Sequence, residues 1–381
     1  MNKTFNTDGY CDPELHYMVN LSGRLEQIKE MVDAGKYFTI NRARQYGKTT
    51  TLTALADYLK KDYEVISLDF QTLSSLSFES EQEFTAAFAA ELLDVISEFP
   101  DGISQKLEEF AEKNTRTSSL QALFKVLKAW CMGSKRKLVL MIDEADTAAN
   151  NQVFLDFLAQ LRAYYLQRRR AATFQSVILA GVYDVRSIRR KLRPDETHRE
   201  NSPWNIAADF DVNMSFSVQD IAGMLEEYET DYHTGMNIGQ MAGLIYDYTS
   251  GYPYLVSRLC KIMDEKLAVS ENFSARSNAW TMKGFLVAEK MLVKEDNALY
   301  QSLMGKLRLY PEFKTMLYGL LFTEKPIPYA STNECIRDAA MFGFIKNEND
   351  TAVISNRIFE AVLYNSFISE EFVGISYENT S

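Results

Sequence analysis

Two short runs hold residues whose types and order suit chemistry on phosphates. Residues 47–50 read G-K-T-T, and residues 138–146 read L-V-L-M-I-D-E-A-D. In the first run, Gly47 lets the backbone approach phosphate oxygens closely. The N–H groups and partial positive charge of a helix start favour an anion there. Lys48 supplies a cation for β- and γ-phosphates, and Thr49 a hydroxyl for Mg²⁺. Thr50 either assists on the α-phosphate side or packs. In the second run, Asp143 is placed to orient Mg²⁺ or its waters. Glu144 is placed to take a proton from an attacking water. Asp146 reads as a helix cap or as a further acid. The ligands implied are ATP and Mg. The usual loop pattern, G-x-x-x-x-G-K-[ST], has a glycine where Arg42 stands, so the match is partial.

These runs need elements that bring them together. Residues 37–41 form a short apolar strand before the loop, and 47–61 carry Leu52, Leu55, Ala56 and Leu59 near the helical period. Residues 64–70 are β-rich, 84–99 and 107–130 read as long helices, and 137–142 form a strand with an unbroken apolar stretch, L-V-L-M-I. Such runs belong to buried parallel strands. A helix over 154–168, a strand over 176–182 and a fifth strand over 212–216 complete the pattern. The fold class is α/β: a P-loop parallel sheet of about five strands with helices on both faces. Acids just beyond a strand then lie at the sheet's C-terminal edge, where ligands bind in such folds.

Ser217, with Asp220 three residues on, marks a helix start. Helices follow to about residue 293, then a compact unit of three helices and a β-hairpin over 344–355. The expected domains are an ATPase core over 1–216, a helical lid over 217–300 and a winged-helix-like domain over 301–381.

Composition narrows the classes. The chain has 41 Lys and Arg against 52 Asp and Glu, a net charge of −11, which gives no global attraction to DNA or anionic lipid. The start of the chain lacks a signal-peptide core, and no stretch approaches the ~18 apolar residues of a membrane span. Cys11, Cys131, Cys260 and Cys335 are far apart and form no C-x-x-C pair, as expected of free thiols in a reducing cytoplasm.

With these residues in hand, the chain resembles the AAA-like branch of P-loop ATPases. It looks closest to the bacterial signal-transduction ATPases with numerous domains (the STAND type), relatives of origin-recognition initiators and archaeal-type ATPases. Four pieces carry the resemblance: Gly23-Arg24-Leu25-Glu26, the R-Q-Y-G-K-T loop over 44–49, the M-I-D-E-A-D strand end, and Ser250-Gly251-Tyr252-Pro253-Tyr254. It implies that Pro253 approaches adenine and that residues around Tyr17 to Val19 close its other side. Taken alone, Gly251-Tyr-Pro253 is also a plain helix-breaking turn, and Arg24 a surface ion pair. The fourth strand, V-I-L-A-G-V, lacks the polar sensor of many AAA members; Tyr183 and Asp184 follow it instead.

Arg186 to Arg193 form a basic run after that strand. Arg186, nearest the strand end, is the candidate arginine finger. The run reads equally as a phosphate-contacting or a solvated loop. Between residues 311 and 360 there are five Lys/Arg against seven Asp/Glu, poor chemistry for DNA phosphates. An ATP-driven switch acting on a protein partner is the first expectation. A DNA-associated ATPase and a nucleotide-bound scaffold without hydrolysis are the alternatives. A nucleotide-dependent oligomer stays open.

Overall fold

The computed structural model describes residues 3–112, 119–182, 204–323 and 326–378, with side chains through residue 372. The chain divides into two compact units.

The first unit comprises residues 21–42 and 48–213. Its strands β1 (Phe38–Asn41), β2 (Glu64–Asp69), β3 (Leu138–Asp143) and β4 (Ser176–Gly181) form a parallel sheet in the order β2-β3-β4-β1. Every residue of β3 and β4 is buried, which is why both carry continuous apolar stretches, L-V-L-M-I and V-I-L-A. In register, Asp69 pairs with Asp143 and Asn41 with Gly181, so four chemically useful positions end on one sheet edge.

Helices α1 (Ser22–Asp33), α2 (Lys48–Leu59), α3 (Glu81–Val95), α4 (Ile103–Ala111), α5 (Leu120–Gly133) and α6 (Gln152–Leu166) cover the sheet. Leu138, Leu140 and Ile142 of β3 enter an aromatic core with Phe70, Phe84, Phe88, Phe124, Phe154 and Phe157. Strand side chains alternate, so Val139 and Met141 point to the opposite face. There α2 packs on β2 and β3 through a buried stripe that includes Leu52, Leu55 and Leu59.

Two expectations change. The helix expected over 107–130 is two helices: α4 ends at Ala111, and α5 has its own cap, the Ser119 hydroxyl accepting from the Ala122 N–H at 3.3 Å. Residues 212–216 form no strand, and the parallel sheet has four strands among the described residues. Beside β1, the chain makes a single parallel bridge at Ala208, whose N–H donates to the Tyr37 carbonyl at 2.8 Å. Beyond it, side chains replace the ladder. Phe210 stacks on Phe38 with ring centroids 5.8 Å apart, and Arg42 takes up the carbonyls of Phe210 and Val212.

The second unit comprises residues 1–20, 43–47 and 214–381. Its helices are α7 (Val218–Tyr232), α8 (Ile238–Thr249), α9 (Pro253–Lys261), α10 (Met282–Val293), α11 (Ala298–Leu309), α12 (Pro311–Phe322), α13 (Glu334–Met341) and α14 (Arg357–Glu378). Ser217 and Asp220 form a full capping box at the start of α7, as their spacing foretold. Strands β5 (Ile327–Pro328), β6 (Ile345–Glu348) and β7 (Thr351–Ile354) make an antiparallel sheet in the order β5-β7-β6. Phe5, Tyr17, Tyr228 and Trp280 cluster around the N-terminal segment. No helix among the described residues is long and apolar enough to cross a membrane.

Candidate phosphate and metal site

In the first unit, α2 begins at Lys48 directly after the loop, as a phosphate site requires. Lys48 is buried, and its ammonium donates to the Arg42 carbonyl at 3.1 Å. Thr49 stands on the first turn and donates its hydroxyl to Asp143 Oδ2 at 2.7 Å. These two residues are 94 positions apart in sequence. The parallel sheet joins them, because β3 delivers Asp143 to the edge where α2 starts. Thr50 is half-buried on the same turn.

The end of β3 is a cluster of acids. Asp143 is buried and its Oδ1 accepts from the Glu144 N–H at 2.9 Å. Glu144 takes a left-handed backbone, φ 50°, which non-glycine residues rarely adopt. Burial raises the Glu144 carboxyl above its usual range; Asp146, Asp143 and Asp69 push the same way and Lys48 opposes them. A half-buried acid of raised affinity for protons suits a group that must take one from water.

Asp146 does not cap the following helix, which begins at Gln152 after Asn151. Its Oδ2 accepts from the Val182 N–H at 3.0 Å, tying the end of β3 to the end of β4. Gly181 makes room for this tie, since a Cβ there would lie 2.5 Å from Asp146 Oδ1.

Arg42, standing where the usual loop has glycine, serves the sheet edge. Its guanidinium donates to the Asn41 carbonyl at 2.8 Å and the Val212 carbonyl at 3.0 Å, and lies over the Phe210 ring at 5.2 Å. Asp69 escaped the sequence reading. Its register with Asp143 brings a second carboxylate to the same edge, where it also accepts from the Gln71 N–H at 2.9 Å. The available signal was a second β-rich run ending in aspartate, L-D-F at 68–70.

Tyr17, Val19, Gly47 and Pro253 belong to the second unit. Gly47 has φ 77°. Val19 and Pro253 are buried, and Pro253 opens α9. Tyr17 packs on Phe5 and Tyr228, and its hydroxyl donates to Asp231 at 2.6 Å. Arg186 and the run to Arg193 lie outside the described residues, as do Tyr183 and Asp184.

The sequence profile of the AAA-like domain matches residues 15–364, and the chain belongs to that family. Among solved structures, a Walker-type ATPase of Pyrococcus abyssi aligns with a TM-score of 0.58 at 13% identity, covering 94% of this chain and 99% of that one. At that identity the likeness speaks for the fold alone. The ORC2 protein of Aeropyrum pernix, solved with ADPNP and ADP, aligns at 12% identity with a TM-score of 0.45, covering 96% of this chain and 98% of that one. The ORC1 protein of the same organism, solved with DNA, aligns at 12% identity with a TM-score of 0.39, covering 93% and 94%. No curated protein matches at a significant level.

Proposed function

We propose that this protein binds ATP with Mg²⁺ and hydrolyses it as a molecular switch of the STAND type, in the cytoplasm, with a protein as partner. The observation that carries the reading is the Thr49–Asp143 pair. A hydroxyl and a carboxylate 2.7 Å apart at a helix start are two oxygen donors of the kind Mg²⁺ prefers, which leaves its other positions to phosphate and water. The residues present therefore fit the ion. Bound there, Mg²⁺ supplies charge neutralisation for the phosphate oxygens.

The chain's own groups do the rest. The backbone N–H groups leading into α2 and the Lys48 ammonium hold the phosphates. Glu144 orients the attacking water and accepts its proton. Tyr17, Val19 and Pro253 are proposed for adenine on the resemblance alone. The unit from α12 to α14 reads as winged-helix-like, with α13 as its recognition helix and β6–β7 as its wing. On α13, Arg337 lies 3.3 Å from Asp338 and 3.9 Å from Glu334, which neutralise it. That favours a protein partner over DNA phosphates.

The test is ATP turnover by the purified chain with Mg²⁺, with and without duplex DNA. Lys48→Ala is expected to lose nucleotide binding. Glu144→Gln is expected to retain binding and lose turnover by about 100-fold or more. Turnover unchanged in Lys48→Ala sinks the assignment of the loop. Binding without turnover in the wild type leaves a scaffold, and stimulation by DNA moves the partner from protein to nucleic acid.

A further inference from the structure

The loop from Arg42 to Gly47 contains one glycine, where the usual pattern has two. Its conformation is nonetheless demanding: Gln45 has φ 57° and Gly47 has φ 77°. A left-handed backbone at glutamine is sparsely populated and persists only where the surroundings hold it. Those surroundings come from distant parts of the second unit. Tyr252, 208 positions from Arg44, donates its buried hydroxyl to the Arg44 carbonyl. Its ring meets the Tyr46 ring edge-on at 4.6 Å, and the Tyr46 hydroxyl bonds the Ser215 hydroxyl at 2.7 Å. On its other side, Tyr252 meets Phe359 of α14 at 5.3 Å, so the clamp is itself wedged in the core. Burial raises the Tyr252 phenol far above its usual range, so it stays protonated and remains a donor.

We infer that Tyr252 is a positioning residue for nucleotide: its hydroxyl fixes the Arg44 carbonyl and so holds the 43–47 loop in the shape that presents backbone N–H groups to phosphates. The consequence for binding rests on the proposed function; the effect on the loop does not. Tyr252→Phe keeps the ring and its packing and removes only the hydroxyl. The expected cost is that of one buried hydrogen bond, about 5- to 10-fold in affinity.

The experiment has two readouts on the full chain. The first is titration with a fluorescent N-methylanthraniloyl ATP and Mg²⁺. The second is the rate of trypsin cleavage after Arg44, which is exposed, in nucleotide-free protein. Tyr252→Phe is expected to bind about 5- to 10-fold more weakly and to be cut several-fold faster after Arg44, with cuts elsewhere unchanged. Adding Gln45→Gly to Tyr252→Phe is expected to recover much of the affinity, because glycine adopts the left-handed backbone without strain. Equal affinity and equal cleavage in Tyr252→Phe overturn the inference. So does faster cleavage throughout the chain with no recovery by Gln45→Gly, the signature of a merely structural tyrosine. If the wild type binds no nucleotide while Tyr252→Phe is cut faster after Arg44, loop positioning stands and the ATP reading falls.

Discussion

The end of β3 and the loop at 43–47 are organised in opposite ways. At the end of β3, Asp143, Glu144 and Asp146 are neighbours in sequence, and the parallel register of the sheet adds Asp69 and the β4 terminus. Local chemistry and strand order suffice to assemble it. The loop takes its shape from residues near 215 and 252, which say nothing of loops when read alone. The first region is written in a motif. The second is written in packing.

Two glycines turn that contrast into measurements. Gly251 has φ 71°, and a Cβ there would lie 2.0 Å from the Phe216 carbonyl oxygen. The obstacle is backbone, held by the Phe216 N–H donating to the Gly251 carbonyl at 2.8 Å, so it cannot step aside cheaply. Gly251→Ala is expected to cost about 2 to 4 kcal/mol, from the left-handed backbone and the collision together. Urea denaturation checks this. A loss under about 0.5 kcal/mol would show that the segment carrying Tyr252 is more plastic than its contacts imply.

Gly181→Ala probes the acid end and is expected to do less harm. Its Cβ would meet a carboxylate oxygen of Asp146, the far end of a side chain that turns away at modest cost. The loss expected is the hydrogen bond to the Val182 N–H, about 1 kcal/mol. Placing Ala at 146 in the same background then costs little more, because the tie is already broken. Full additivity of the two changes would show that Asp146 acts on something other than β4.

Much of this arrangement was legible beforehand. Alternating patterns foretold the parallel sheet, and the unbroken apolar run at 138–142 foretold a buried strand in it, because burial on both faces leaves no polar alternation. The bringing together of Thr49 and Asp143 followed from strand–loop–helix order. The fifth strand was not legible as absent. Its apolar alternation is real, but Arg42 takes up the Val212 carbonyl, and the bridge to β1 lies upstream at Ala208. Tyr252 was hidden for a similar reason: within Gly251-Tyr-Pro253, the flanking residues carry the recognisable turn chemistry, while the tyrosine's partners are remote.

The gentlest test concerns Glu144, where a local motif and its neighbours act on a single proton. Burial, then the nearby carboxylates, raise the folded-state affinity of Glu144 for a proton. The unfolded chain titrates near the ordinary value of about 4.3. Between that value and the raised one, the native state holds more protons than the unfolded state, so stability falls as pH rises through this window. Above the window, ionised Glu144 is a standing cost to the fold; below it, the acid is neutral in both states and the cost vanishes. Glu144→Gln removes the charge and keeps the shape. The variant is therefore expected to melt slightly higher than wild type at neutral pH, with the difference shrinking to nothing below about pH 4. The acid limb of any ATP turnover is expected to lie above the usual carboxylate range for the same reason. A melting difference that stays constant across pH would mean that the substitution acts through packing, and that the acids around β3 leave Glu144 untouched.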